Sequence, residues 1–178
     1  STLLSRWFGL EGVAAWSVGS KAANLLSQML SKFFESSFAG FSELFEGGRM
    51  DLLLGRLGQL FRGVLGACLF AAACVCLLNQ EFVRLWTGSR VDWPAGCNGG
   101  AALWLVGLTA SRGFAEQAKI LLLWRWIRLG PALEFLIWLG LGLALSRSLS
   151  LPGFVLSVGL APLLSSILLY SVGLRRLF

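Results

Sequence analysis

Polar residues recur every three or four positions along an otherwise apolar stretch near the start of the chain. These positions, named here the polar stripe, are Ser17, Ser20, Lys21, Asn24, Gln28, Ser31, Lys32 and Glu35. At about 100° per residue they fall within a sector of roughly 120° on an α-helix. The other side would hold Val18, Ala22, Leu26, Met29, Leu30 and Phe33. The pattern predicts a helix with one polar and one apolar side.

Apolar runs predict five membrane-spanning helices, because each approaches the ~20 residues that cross a bilayer. They cover residues 13–38, 57–78, 100–123, 131–145 and 152–174 of the chain. Pro131 and Pro152 are expected to open the last two helices, since a first helical turn tolerates proline. The sequence thus predicts an all-α integral membrane bundle over residues 1–178.

Composition agrees with a membrane protein. Of the 178 residues, 56% are hydrophobic and 13% charged, whereas about a quarter of a soluble domain is charged. The net charge of +6 comes from scattered residues rather than a basic block, so no nucleic-acid partner is expected.

Basic residues near the span ends favour one orientation. One side would carry Arg49, Arg56, Arg125, Arg128, Arg175 and Arg176, and the other Arg6, Arg84, Arg90 and Arg147. Because the richer side tends to be cytoplasmic, the carboxy terminus is expected in the cytoplasm.

The sequence offers little for catalysis. It contains no His, and its four cysteines form no C-x-x-C pair, so they are interpreted as small, buried hydrophobic residues and no metal or cofactor is predicted. Hydrolytic and nucleotide-binding motifs are missing, so no catalytic residue is assigned and the protein is not expected to be an enzyme. The chain starts at Ser1 with no signal peptide visible, and we interpret it as the carboxy-terminal part of a longer protein.

The polar stripe is the first candidate site. A lysine at the centre of a membrane helix costs about 2.5–3.5 kcal/mol, so Lys21 and Lys32 need compensation. Lining a water-filled cavity is one explanation, with Lys21, Asn24, Gln28 and Lys32 as substrate-binding residues and Glu35 in ion coupling. Two others are polar contacts between packed helices and a helix that lies in the membrane interface.

The third predicted helix carries a second polar face. Thr109, Arg112, Glu116 and Lys119 recur at spacings of three and four. Glu116 can pair with Arg112 or Lys119 along the helix, and it is a candidate for ion coupling. Arg112 and Lys119 are candidate substrate-binding residues that, with the polar stripe, would form a basic chamber for a phosphate or pyrophosphate group. Alternatively, Lys119 extends to the membrane surface.

Two further predictions concern later helices. Glu134 is a candidate ion or proton site, although a carboxylate near a helix start also favours the helix dipole. Small residues at four-residue spacing allow close helix packing. They are Gly63, Ala67 and Ala71, then Gly140 and Ala144, then Ser157, Ala161 and Ser165.

Several segments resemble the multidrug/oligosaccharidyl-lipid/polysaccharide exporter superfamily, in its polysaccharide flippase branch. The segments are Val13–Lys21 (VAAWSVGSK), Phe41–Leu44, Glu46–Arg49, Phe82–Gly88 (FVRLWTG), Glu134–Leu145 and Pro152–Val155. Ala39 and Gly40 stand where the family has a proline, and the second glycine of the last pattern is missing.

The resemblance implies part of the second lobe of a transporter with 12–14 helices, whose amino-terminal lobe is outside this chain. Such proteins flip undecaprenyl-pyrophosphate-linked saccharides across the bacterial inner membrane by alternating access. The first alternative is an ion-coupled multidrug antiporter of the same superfamily, although the excess of cations argues against it. The second is a membrane-embedded glycosyl- or acyltransferase.

Overall fold

The computed structural model describes the backbone of residues 2–120 and 124–174, and side chains over 9–120, 127–145, 150–169 and 171. The elements are α1 (Thr2–Gly19), α2 (Lys21–Glu46), α3 (Met50–Thr87), α4 (Gly96–Ile120) and α5 (Trp124–Leu174). No strand occurs in those ranges, so the predicted all-α bundle is confirmed.

Two helix breaks lie at Gly9, which has φ 68° and ψ −174° within α1, and at Ser150. Ser20 lies between α1 and α2 but keeps helical angles (φ −83°, ψ −11°), and its N–H donates to the Trp16 carbonyl at 3.0 Å, so the predicted span 13–38 continues from α1 into α2. Ser150 has φ 54° and ψ −136° and divides α5 into a first arm (124–149) and a second arm (151–174). Pro152 opens the second arm, as predicted. Pro131 lies inside the first arm, where the prediction was wrong because the helix has already begun by residue 124.

The remaining predicted spans correspond to single helical segments. Residues 57–78 lie within α3, residues 131–145 within the first arm, and residues 152–174 within the second arm. Residues 121–123, at the end of the predicted span 100–123, lie outside the described residues, as do Arg175 and Arg176. The side chains of Arg6, Arg125 and Arg147, also used for orientation, are outside them as well.

Among the described residues, three helices are long and apolar enough to cross a membrane. They are Met50–Thr87, Ile127–Leu145 and Ser150–Leu169. Charged and polar side chains make α2 and α4 less apolar. The bundle therefore combines three strongly apolar helices with two that carry polar faces.

Helices α2, α3 and α5 pack against α4, and α3 runs antiparallel to α2. Asn79 of α3 donates to the carbonyl of Gly19, the last residue of α1, at 3.0 Å, and the rings of Phe34 and Phe61 lie 6.2 Å apart, which sets the register of α3 against α1 and α2. The Cys68 Sγ lies 3.8 Å from the Leu105 carbonyl and links α3 to α4.

The second arm runs parallel to α4 in close backbone contact. A Cβ placed on Gly100 would lie 2.8 Å from Val155, and one on Gly107 would lie 2.7 Å from Pro162. Since both pairs advance by the same number of residues, the two segments stay in register along their length. Glycine allows this approach because it lacks a Cβ.

Only one of the small-residue series is buried along its whole length. Ser157, Ala161 and Ser165 are buried. Of the other two series, Ala71 is half-buried against the core, whereas Gly63 and Gly140 face open space and Ala67 and Ala144 are exposed. Small residues at this spacing permit contact, but the neighbouring helix decides which face is used.

Candidate functional site

Helix α2 has three faces rather than the predicted two. Ala23, Ser27, Leu30, Ser31 and Phe34 are buried in the bundle. Leu25, Met29 and Phe33 form an exposed apolar face. The exposed members of the polar stripe lie between these faces and include Lys21, Gln28, Lys32 and Glu35. Leu30 was placed on the same apolar side as Met29, but tertiary packing separates them.

The packing of α2 on α3 defines the depth of the polar stripe. Residues 63–78 of α3 carry no charge, and they lie between Phe61, which contacts Phe34 of α2, and Asn79, which contacts Gly19 at the end of α1. Stripe residues between Gly19 and Phe34 are therefore level with this uncharged run. Polar groups at that depth need water or a polar partner.

Several polar side chains of α2 have an identifiable contact. The Lys21 Nζ lies 5.4 Å from the centre of the Trp86 ring, which favours a cation. Gln28 donates to Asn24 at 3.4 Å. Lys32 pairs with Glu35 at 2.5 Å, and the Lys32 side chain is 74% exposed. Lys32 and Glu35 thus partly neutralise each other.

Helix α4 supplies one contact to the stripe side of α2. The Arg112 guanidinium donates to the buried Ser27 hydroxyl at 3.1 Å. Lys119 pairs with Glu116 at 2.6 Å. Of the two predicted partners of Glu116, Arg112 and Lys119, the structure therefore has Lys119. Thr109, also expected on the polar face, is buried and donates to its own helix at Leu105.

The predicted basic residues do not converge on one point. Within the described part of the chain, no carboxylate lies within ion-pair distance of Lys21 or Arg112, whereas Lys32 and Lys119 are paired. Lys21 extends toward Trp86 and Arg112 toward Ser27. The arrangement leaves two cations that can receive an external anion, along one side of α2.

Sequence reasoning missed Ser27 and Trp86 because both contacts join separate helices. Ser27 lies just outside the stripe sector, and its importance depends on the arrival of Arg112 from α4. Neither residue carries a local signal that identifies its partner.

Glu134 belongs to a separate cavity. It is half-buried on the first arm and accepts a hydrogen bond from Ser111 of α4 at 3.3 Å. The cavity is about 410 Å³ and is lined by Trp104, Pro131, Glu134, Phe135, Trp138, Phe154, Val158 and Ala161. Glu134 lies ten residues after Trp124, so it is not at the helix start and the alternative dipole role was wrong.

The described residues offer no obvious metal centre. No group of three or more His, Cys, Asp or Glu side chains within them could hold a metal ion. Cys68 and Cys97 are buried, and Cys76 is exposed on α3. The cysteines therefore differ in burial, and the interpretation as buried residues was wrong for Cys76.

The fold and its apolar helices define the chain as a helical membrane protein. No family model, curated protein or solved structure matches it.

Proposed function

We propose that this chain is part of a transporter that flips lipid-linked oligosaccharides across the bacterial inner membrane by alternating access. The observation that carries the proposal is that Lys21, Gln28 and Lys32 of the polar stripe are exposed at the depth of the uncharged run of α3. A polar surface at this depth is favourable against a water-filled cavity and costly against acyl chains.

Lys21 and Arg112 are the residues proposed to attract the pyrophosphate headgroup. Neither has a carboxylate partner among the described residues, and a guanidinium can bind phosphate oxygens with two hydrogen bonds. Asn24 and Gln28 would bind the same headgroup through their amides. The lipid tail would remain in the bilayer.

The remaining charged residues have proposed roles in coupling. Lys32–Glu35 and Glu116–Lys119 are ion pairs within their own helices, and a change in protonation would expose one cation of each pair. Energy would come from an ion gradient or the membrane potential, which supplies about 2.3 kcal/mol per charge per 100 mV.

In the proposed protein, a second lobe, amino-terminal to this chain, covers the polar stripe and completes the cavity. Rocking of the two lobes would open the cavity to either side of the membrane. The carboxy terminus would lie in the cytoplasm. We propose transport without chemical conversion of the substrate, so the protein is not an enzyme.

The test is flipping by the full-length protein in proteoliposomes. Undecaprenyl-pyrophosphoryl saccharide carrying a fluorophore is present in both leaflets, and an impermeant quencher reports the outer fraction. We expect the protein to bring the inner fraction to the quencher. Arg112→Gln and Lys21→Gln should each slow flipping about tenfold, since each removes a charge-assisted contact.

Arg62→Gln is the matched control. Arg62 is exposed on α3, and its Nε donates to the Gly58 carbonyl of the same helix. Flipping by this variant should equal that of the unchanged protein. A quenching rate no higher than that of protein-free liposomes would refute the proposed function, and unchanged flipping in both Arg112→Gln and Lys21→Gln would refute the anion site.

A further inference from the structure

A second cavity, of about 480 Å³, lies at one end of the bundle and is lined by charged residues. Glu11 comes from α1, Arg90 and Asp92 from the connection between α3 and α4, and Ser150 from the break in α5. The helix break at Gly9 is two residues before Glu11. Three segments that are distant in sequence therefore bring one guanidinium and two carboxylates around a shared space.

This end of the bundle lies at the depth of the lipid headgroups. The predicted spans 13–38 and 152–174 each begin two residues after a residue of the cavity wall, Glu11 and Ser150. The uncharged run of α3 ends at residue 78, before the connection that carries Arg90 and Asp92. Since the apolar segments end at this level, the cavity is placed where the phosphates and amines of lipids lie.

Trp93 holds the connection between α3 and α4 against the bundle. Its ring is buried and lies directly against Gly19, and Val91 packs against the same hydrophobic core. The exposed residues Arg90 and Asp92 alternate with these two buried positions. Because the segment is fixed by packing, its two charged side chains lose little freedom when a ligand binds.

The three charges of this cavity have no ion-pair partner. In the part of the chain that the structure describes, no ion pair includes Glu11, Arg90 or Asp92. The second arm of α5 also begins in this wall, at Leu151, and the start of a helix favours an anionic group. A ligand with an anionic phosphate and a cationic amine would satisfy both kinds of charge.

A metal ion matches these walls less well. The positive charge of Arg90 opposes a metal cation, and Glu11 and Asp92 are two carboxylates, whereas Ca²⁺ takes about six to eight oxygen ligands. A primary ammonium needs fewer partners, because it has three N–H donors that two carboxylates can accept. The mixture of charges thus favours a zwitterion over a metal.

We propose that this cavity binds the headgroup of a phospholipid with a primary amine, phosphatidylethanolamine. Arg90 contacts the phosphate, and Glu11 and Asp92 accept hydrogen bonds from the ammonium, while the acyl chains stay in the bilayer. Neither Lys21 nor Arg112 lines this cavity, so the proposal does not depend on saccharide flipping.

The first test uses only the unchanged full-length protein. Purified in detergent, it is titrated with phosphatidylethanolamine or phosphatidylcholine of the same acyl chains, and native mass spectrometry counts the bound lipids. We expect one phosphatidylethanolamine to bind about fivefold more tightly, because the trimethylated amine of phosphatidylcholine has no N–H for the carboxylates. Equal affinity of the two lipids would overturn the proposal.

The second test separates the roles of the two signs of charge. Arg90→Gln should weaken both lipids about fivefold, since both carry a phosphate. The double variant Glu11→Gln, Asp92→Asn should instead remove the preference for phosphatidylethanolamine over phosphatidylcholine. A merely structural role of these residues would not produce this difference.

Arg84→Gln is the matched control, because Arg84 is exposed at the same end of α3 and pairs with Glu81. Both affinities should equal those of the unchanged protein. A preference for phosphatidylethanolamine that survives in the folded double variant would overturn the proposal. So would phosphatidylglycerol binding as tight and as sensitive to Arg90→Gln as that of phosphatidylethanolamine, which would show a plain anion site. The saccharide assay does not affect any of these results.

Discussion

Arg112 and Ser27 are the two residues that join the polar faces of α2 and α4. The hydrogen bond is 3.1 Å long and Ser27 is fully buried. Hydrogen bonds between membrane helices contribute about 0.6 kcal/mol on average and up to about 1.7 kcal/mol. We predict a coupling free energy in this range from a double-mutant cycle of Ser27→Ala and Arg112→Gln, measured by unfolding in mixed micelles.

Ser31→Ala provides the comparison for this cycle. Ser31 is also buried on α2, but its hydroxyl donates to the Gln28 carbonyl of the same helix. Combined with Arg112→Gln, it should give additive free energies of unfolding. Additivity in the Ser27 cycle as well would mean that the Arg112–Ser27 contact contributes nothing to stability.

Gly19 allows the Trp93 ring to pack directly against the backbone, because glycine has no side chain. A Cβ at this position would overlap the Trp93 ring. Trp93 is buried, and its Nε1 donates a hydrogen bond to the Asn98 Oδ1 at 2.7 Å, so the ring cannot easily move aside. We predict that Gly19→Ala lowers the free energy of unfolding by about 1–3 kcal/mol, as overpacking does. Gly63→Ala should cause no loss, because Gly63 faces open space. Equal stability of the two variants in thermal unfolding would contradict the prediction.

These residues also show how far sequence reasoning reaches at this scale. The polar stripe is a local pattern, so its residues could be selected from spacing alone. The Trp93 ring against Gly19, the Ser27 partner of Arg112 and the aromatic walls around Glu134 each join positions far apart in the chain. Such contacts depend on helix register, which no local pattern specifies.

At the scale of elements, apolar runs predicted which segments are helical more accurately than where each helix begins and ends. Runs within α3 and both arms of α5 coincide with candidate spans. The break at Ser150 could not be predicted in the same way, because Ser150 is an ordinary residue in its local sequence. Pro131 was misleading, since the structure accommodates it inside a continuous first arm. Proline restricts a helix, but its position within the helix depends on where the preceding turn begins.

The break at Ser150 predicts that a change to glycine raises the free energy of unfolding at this position, although the same change lowers it within a regular helix. Its φ of 54° and ψ of −136° are unfavourable for a residue with a side chain. We expect Ser150→Gly to raise the free energy of unfolding by about 1 kcal/mol, because glycine adopts this conformation freely.

Ala132→Gly is the matched change within the helix of the first arm. Ala132 is exposed and helical, so glycine should lower stability by about 0.5–1 kcal/mol. Thermal unfolding of both variants in the same detergent gives the comparison. A loss of stability in Ser150→Gly similar to that of Ala132→Gly would show that Ser150 is not strained.

At the scale of the whole molecule, α4 separates two surfaces of different character. On one side Arg112 meets α2 and the exposed polar stripe, and on another Ser111 meets Glu134 in its aromatic cavity. One surface carries unpaired cations and the other an unpaired carboxylate within the described chain. Helix α4 is therefore the element that both surfaces share.

Water access along α2 is the property that distinguishes a helix that lines a transport cavity from a helix that faces lipid. Gln28 and Met29 are adjacent and both exposed in the bundle, but Gln28 lies on the polar stripe and Met29 on the apolar face. We predict that Gln28→Cys reacts with a membrane-impermeant thiol reagent and that Met29→Cys does not, because thiolate formation requires water. Labelling of the full-length protein in native membranes, with Cys68, Cys74, Cys76 and Cys97 replaced by Ala, measures this difference. Equal protection of both cysteines would place the polar stripe in a dry contact and remove the basis for an aqueous cavity.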